Sequence, residues 1–128
     1  MTGSKILVVE DDHAVSTSLC SALRTLGFTP FHAETVDDAI EVLDREEIDA
    51  ITLDVTLPDP SGSKKSGLSL LAHLRVTKEH STTPVLIFTG SFLTDEDQRF
   101  AQKHGAEVHY KPMPYYELTA HLTRLLKK

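Results

Sequence analysis

Short apolar runs punctuate the chain, and between them apolar residues recur at helical spacing. Residues 5–9 (KILVV), 48–53 (IDAITL) and 84–88 (PVLIF) are runs rich in β-branched or aliphatic side chains, the pattern of strands covered on both faces. Residues 28–31 (FTPF) and 107–110 (EVHY) are weaker strands, and Pro30 places the former at a sheet edge, where a missing N–H does least harm. Val15, Leu19, Ala22, Leu23 and Leu26 predict a first helix that stops at Gly27; Val36, Ala39, Ile40 and Leu43 predict a second, capped by Thr35 or the Asp pair after it. A third, with Leu68, Leu71 and Leu74 inward and Leu70 alongside, is expected to start near Leu68 and fray around His80. The fourth, over about 95–104, is mostly polar, has only Phe100 and Ala101 as core contacts, and ends at Gly105. Pro114 suits the first turn of a fifth, with Leu118, Leu122, Leu125 and Leu126 on its buried face. Such β-α alternation predicts a doubly wound α/β fold: a five-stranded parallel sheet with right-handed crossovers and helices on both faces.

Composition narrows the class. A chain of 128 residues without repeats or a long linker is expected to form one domain over residues 1–128. The net charge of -6 argues against a nucleic-acid surface, and no apolar stretch approaches the ~18 residues of a membrane span. Cys20 is the single cysteine, so no intrachain disulfide exists, and without an export signal a cytoplasmic location is expected. No motif activates Cys20, which reads as an inert thiol. The seven histidines (His13, His32, His73, His80, His104, His109, His121) show no metal-ligand spacing and are expected in surface or structural roles.

In a parallel sheet the residues that end each strand collect along one edge, where ligands bind. Those ends are Glu10, Asp11 and Asp12, then Asp54, then Thr89, then Lys111. Crowded carboxylates cannot all ionise cheaply unless a cation sits among them, and an all-oxygen site open to water suits Mg2+. Thr89 and Lys111 are groups awaiting an anion, which a phosphoryl group on Asp54 would supply, the carboxylate acting as nucleophile. A flavodoxin-like small-molecule binder would instead need a glycine-rich phosphate loop after the first strand, where Glu10, Asp11 and Asp12 stand.

Six stretches in order, KILVVEDD (5–12), Leu53 and Asp54 followed by Leu57 and Pro58, GLSLL (67–71), PVLIFTG (84–90), Gly105 with Ala106, and Lys111 with Pro112, resemble the receiver domain of two-component response regulators. The resemblance covers essentially the whole chain and implies a flavodoxin-like sheet of order 2-1-3-4-5. It further implies that Asp54 accepts a phosphoryl group from a histidine kinase or histidine phosphotransfer protein in a Mg2+-dependent reaction. Glu10 and Asp11 match the acidic pair that holds Mg2+, Asp11 the more direct ligand, together with Asp54 and the backbone carbonyl of Thr56. Thr89 and Lys111 match the phosphoryl-binding switch, Thr56 and Ser91 match positions that tune dephosphorylation, and the peptide before Pro112 is expected to be cis.

The resemblance implies a switch and not an enzyme acting on a separate metabolite. Its expected partners are a kinase or phosphotransfer protein upstream and a protein target or fused output domain downstream, with a phosphorylation-dependent homodimer among the forms this switching takes. No nucleic acid or membrane is expected to bind directly. The alternative is a degenerate receiver that works without phosphorylation, against which Asp54, Thr89 and Lys111 count. Two departures stand out. Residues 59–66 enlarge the loop beside Asp54, where Lys64 or Lys65 would reach a partner or phosphate, although a solvated loop is the simpler expectation. Between Gly105 and Lys111 the chain is one residue short, and Val108 stands three before Lys111 where a switch aromatic is usual, leaving His109 or Tyr110 as substitutes or the aromatic absent. Tyr115 and Tyr116 are expected to pack beside the active-site edge.

Overall fold

A computed structural model describes residues 3–59, 61–62 and 66–127. Among them the apolar runs form β1 (Lys5–Val9), β2 (Thr29–Ala33), β3 (Ala50–Leu53), β4 (Val85–Thr89) and β5 (Ala106–Tyr110). The amphipathic segments between and after them form α1 (His13–Thr25), α2 (Val36–Arg45), α3 (Ser66–Val76), α4 (Asp95–Lys103) and α5 (Tyr115–Leu126). The strands pair in parallel in the order β2-β1-β3-β4-β5, the doubly wound arrangement that the alternation predicts. Pro30 lies on β2, an edge strand, opposite Ile6.

Strand periodicity divides the core in two. Leu7, Val9, Ile51, Leu53, Val85 and Ile87 face α2, α3 and α4, meeting Ala39, Leu71, Leu74 and Ala101. Ile6, Val8, Ala50, Leu86 and Phe88 face α1 and α5, meeting Leu19, Leu23, Leu118 and Leu122. The central strands β1, β3 and β4 are buried almost throughout, which is why their sequences read as continuous apolar runs.

Helix ends follow local chemistry. Asp12 caps α1, its Oδ1 accepting from the N–H groups of Ala14 and Val15 at 2.9 and 3.2 Å, and Thr35 caps α2. Gly27 and Gly105 take φ of 90° and 73° just past α1 and α4, a conformation that costs glycine little. The thin apolar face of α4 is offset by a capping box between Thr94 and Asp97.

α3 departs from the periodic reading. Among the described residues it runs from Ser66, near the expected start at Leu68, and there Ser66 Oγ donates to the carbonyl of Leu57 (3.0 Å) and the Gly67 N–H to that of Val55 (2.9 Å). It stops at Val76, and Lys78–His80 form a separate 3-10 turn instead of a frayed end. Arg75 holds that junction: its guanidinium donates to the carbonyls of His104 (2.6 Å), His80 (2.9 Å) and Thr83 (2.8 Å), tying α3 to the end of α4 and to the entry of β4. Among the described residues no helix is long and apolar enough to cross a membrane.

Candidate functional site

Because all five strands run the same way, β1, β3, β4 and β5 deliver Glu10, Asp54, Thr89 and Lys111 to one crevice. Asp54 sits one residue past β3, its N–H donating to the Val9 carbonyl (3.0 Å), and its side chain is buried. Its two oxygens have different partners. Oδ1 accepts from the Thr89 hydroxyl (2.9 Å) and from the Thr56 N–H (3.2 Å), whereas Oδ2 accepts from Lys111 Nζ (3.0 Å). The same ammonium donates to Glu10 Oε1 at 2.5 Å and lies 5.6 Å from the centre of the Phe88 ring.

The acidic trio splits by role. Glu10 is buried and accepts from the Asp12 N–H at 3.1 Å, whereas Asp11 and Asp12 are both exposed, Asp12 capping α1 and Asp11 lying with Glu10 and Asp54. Burial pushes the Glu10 carboxyl above its usual range and the charge of Asp54 pushes the same way, against the pull of Lys111 and the Asp12 N–H. For Lys111 burial acts downward, but its hydrogen bonds and charge pairing with Glu10 and Asp54 outweigh it, so the ammonium is held above its ordinary value.

Carboxylate oxygens of Glu10, Asp11 and Asp54 lie within 4.8 Å of one another. One ammonium leaves this trio with excess negative charge, and three hard oxygen donors beside an open mouth fit Mg2+, which accepts few protein ligands and keeps its waters.

Thr56 and Ser91 bond to each other, hydroxyl to hydroxyl, at 2.5 Å, and the Ser91 N–H donates to Thr89 Oγ1 (3.1 Å). The Lys111-Pro112 peptide is cis. Lys64 and Lys65 lie outside the described residues. Of the candidates for the switch aromatic, Val108 pairs opposite Ile87 and packs into the core. His109 instead stacks on His121 of α5. Tyr110 stands opposite Thr89, 39% exposed, with its ring 6.3 Å from that of the almost fully exposed Phe92. An aromatic is therefore present beside the Thr89 strand end, two residues later than usual. Tyr115 packs partly buried against the α1–α5 core, whereas Tyr116 is 74% exposed, so only the first of the pair packs as expected.

His109 and His121 meet where β5 and α5 pack, a contact that their separation along the chain hides. Gly67 also escapes sequence reasoning as a site residue. A Cβ built there would collide with the Asp54 carbonyl oxygen and lie 2.7 Å from Val55 Cα, so α3 packs on the backbone that carries Asp54.

The response regulator receiver domain model matches residues 6–123, and the chain belongs to that family. It is 30% identical to the regulatory protein VanR of Enterococcus faecium over 97% of this chain and 50% of that protein. It is 34% identical to the transcriptional regulatory protein CpxR of Escherichia coli K12 over 98% of this chain and 50% of that protein. The chain thus spans about half the length of these relatives. Its fold superposes with TM-score 0.87 on a CheY-like receiver domain protein from Methanospirillum hungatei, at 24% identity, covering 98% of this chain and 95% of that one. It also superposes with TM-score 0.83 on the receiver domain of a sensor histidine kinase from Pseudomonas aeruginosa, at 26% identity, covering 99% and 100% of the two chains; that structure has a magnesium ion coordinated in its active-site cleft.

Proposed function

We propose that this receiver domain is a phosphoacceptor: Asp54 takes a phosphoryl group from the phosphohistidine of a histidine kinase or phosphotransfer protein in a Mg2+-dependent reaction. The observation that carries this reading is a buried carboxylate with a hydroxyl and an ammonium donating to its two different oxygens. Asp11, Asp54 and the Thr56 carbonyl would hold Mg2+, with Glu10 behind them. When bound, the ion supplies positive charge for the incoming phosphoryl oxygens.

A carboxylate oxygen of Asp54 forms the O–P bond as the P–N bond of the phosphohistidine breaks, and the imidazole leaves with that electron pair and takes a proton. Lys111 stays paired with the growing negative charge, and the Thr89 hydroxyl, whose carboxylate acceptor has become an acyl phosphate, turns its O–H toward a phosphoryl oxygen. Thr56 and Ser91 set the access of water to the acyl phosphate.

Movement of Thr89 biases a two-state equilibrium in the face built from α4, β5 and α5, which changes affinity for a protein target, a fused output domain or a second copy. The protein works as a cytoplasmic switch and turns over no separate substrate. The test is intact mass after incubation with Mg2+ and acetyl phosphate. Wild type gains one base-labile phosphate, and Asp54→Asn gains none. No uptake by wild type, together with no binding of beryllofluoride, overturns the reading.

A further inference from the structure

A second group of metal-binding side chains lies on β5 and α5, apart from the acidic crevice. Glu107 and His109 are two residues apart on β5 and share a sheet face, and His121 of α5 stacks its ring on that of His109 with centroids 4.2 Å apart and planes at 28°. His109 Nε2 lies 3.2 Å from Glu107 Oε1. One ligand atom from each of the three lies within 4.8 Å of the others.

Arg124, three residues after His121 on α5, closes the group. Its Nη1 donates to Glu107 Oε2 (2.8 Å), and its Nη2 donates both to Glu107 Oε1 (2.8 Å) and to His121 Nδ1 (2.9 Å). One guanidinium nitrogen thus sits between a carboxylate oxygen and an imidazole lone pair, where a small cation would sit.

The geometry points to a transition-metal site in which Glu107, His109 and His121 bind Zn2+ by displacing the Arg124 guanidinium. Two imidazoles and a carboxylate are a known zinc donor set that leaves a fourth position for water. Imidazole favours Zn2+, Ni2+ and Cu2+, whereas all-oxygen sites suit Mg2+, so donor type separates this site from the crevice at Asp54. Tetrahedral zinc with bonds near 2 Å sets its ligand atoms roughly 3.3 Å apart, so the triad must contract. The two stacked rings must also turn until their nitrogen lone pairs converge; all three residues are only partly buried, and the Arg124 side chain, 46% exposed, exchanges its hydrogen bonds here for water as it leaves. The bound ion would then tie the edge strand β5 to α5 in place of the guanidinium.

The experiment is calorimetric titration of the whole protein with Zn2+ in excess Mg2+, which occupies the oxygen crevice, alongside Co2+ absorption and imidazole NMR. Wild type takes one equivalent of Zn2+, Co2+ gives a tetrahedral visible spectrum, and the imidazole signals of His109 and His121 shift together. His109→Gln and His121→Gln each weaken binding at least ~10-fold, the lower end of what loss of even an outer-shell partner costs. Arg124→Gln, which removes the competitor and leaves every ligand in place, tightens it severalfold. The proposal is overturned by no uptake in wild type or Arg124→Gln, by uptake unchanged in both histidine variants, or by weaker binding in Arg124→Gln.

Discussion

Lys111 is the residue on which the resting crevice depends. Its ammonium is the cation that the described residues place between the buried carboxylates of Glu10 and Asp54, and its own side chain is only 19% exposed. Breaking such a group by removing one partner leaves buried charge uncompensated, which costs far more than the intact pair contributes. Lys111→Met keeps an unbranched apolar side chain and deletes the charge. Urea unfolding in EDTA should show it destabilised by about 3 kcal/mol, with part of the loss recovered in Mg2+; equal stability in EDTA would mean the carboxylates do not rely on the lysine. Cys20 gives a second expectation at this scale. It is buried on α1, and burial pushes its thiol above the ordinary value of 9.0, the nearby Arg24 opposing only weakly. The folded protein should therefore resist a thiol reagent such as DTNB at neutral pH and react with one equivalent once unfolded. The sign for stability follows: the neutral thiol is favoured in the fold, so its contribution is complete below pH 9.0 and is lost as pH rises from there through the higher folded value. A native-state reaction as fast as that of the unfolded chain would contradict the buried placement.

Among the elements, α3 is the one packed most directly on the backbone of Asp54. Its first turn is bonded to the loop after β3 through Ser66 and Gly67, and Gly67 lies against the peptide that carries Asp54. Gly67→Ala would add a methyl where only backbone atoms can yield, so helix and acceptor loop must move apart. The expected outcome is a loss of about 1–3 kcal/mol in denaturant unfolding with slower phosphorylation of Asp54 by acetyl phosphate. A variant that phosphorylates at the wild-type rate would show that this packing does not set the acceptor's position. Arg75 fixes the other end of α3, one guanidinium satisfying three carbonyls from separate segments, a task that lysine's compact ammonium on a flexible stem performs less well. α4 has the weakest apolar anchor, and its capping box and the Arg75 tie at His104 compensate at its two ends. An element fixed at its ends and lightly packed between them is suited to shift if Thr89 turns toward a phosphoryl group as proposed.

For the molecule as a whole, an ion held in the crevice would couple metal binding to folding. Glu10, Asp11 and Asp54 come from two strand ends that meet only in the native sheet, so an ion that binds them binds the folded state alone. Mg2+ at a hundred times its dissociation constant should then add about 2.7 kcal/mol to stability, seen as a rise in the thermal midpoint that EDTA reverses. Asp11→Asn should blunt the rise, and a midpoint indifferent to Mg2+ in wild type would argue against the site. The zinc triad acts at the same scale from the other end of the chain's logic, because it would clamp β5 to α5 within the face proposed to report phosphorylation.

The order of strands and helices, the two-faced burial of β1, β3 and β4, and the residues that end each strand were all determined by the sequence by itself. Apolar period and the glycine and proline stops are local properties, and a parallel sheet turns chain order into spatial convergence without further information. Asp54, Thr89 and Lys111 were legible for that reason. What only the tertiary structure decided involves pairs whose separation along the chain says nothing about distance. Thr56 meets Ser91, Gly67 meets the Asp54 carbonyl, and His121 meets His109 and Glu107 because a helix and a strand pack at one angle and register out of several that the same periodicity allows. The bonds from Ser66 and Gly67 to the Leu57 and Val55 carbonyls were hidden likewise, since they exist only once β3 is in place. Periodicity reports which face of an element is buried; which residue across the interface receives it is settled by packing.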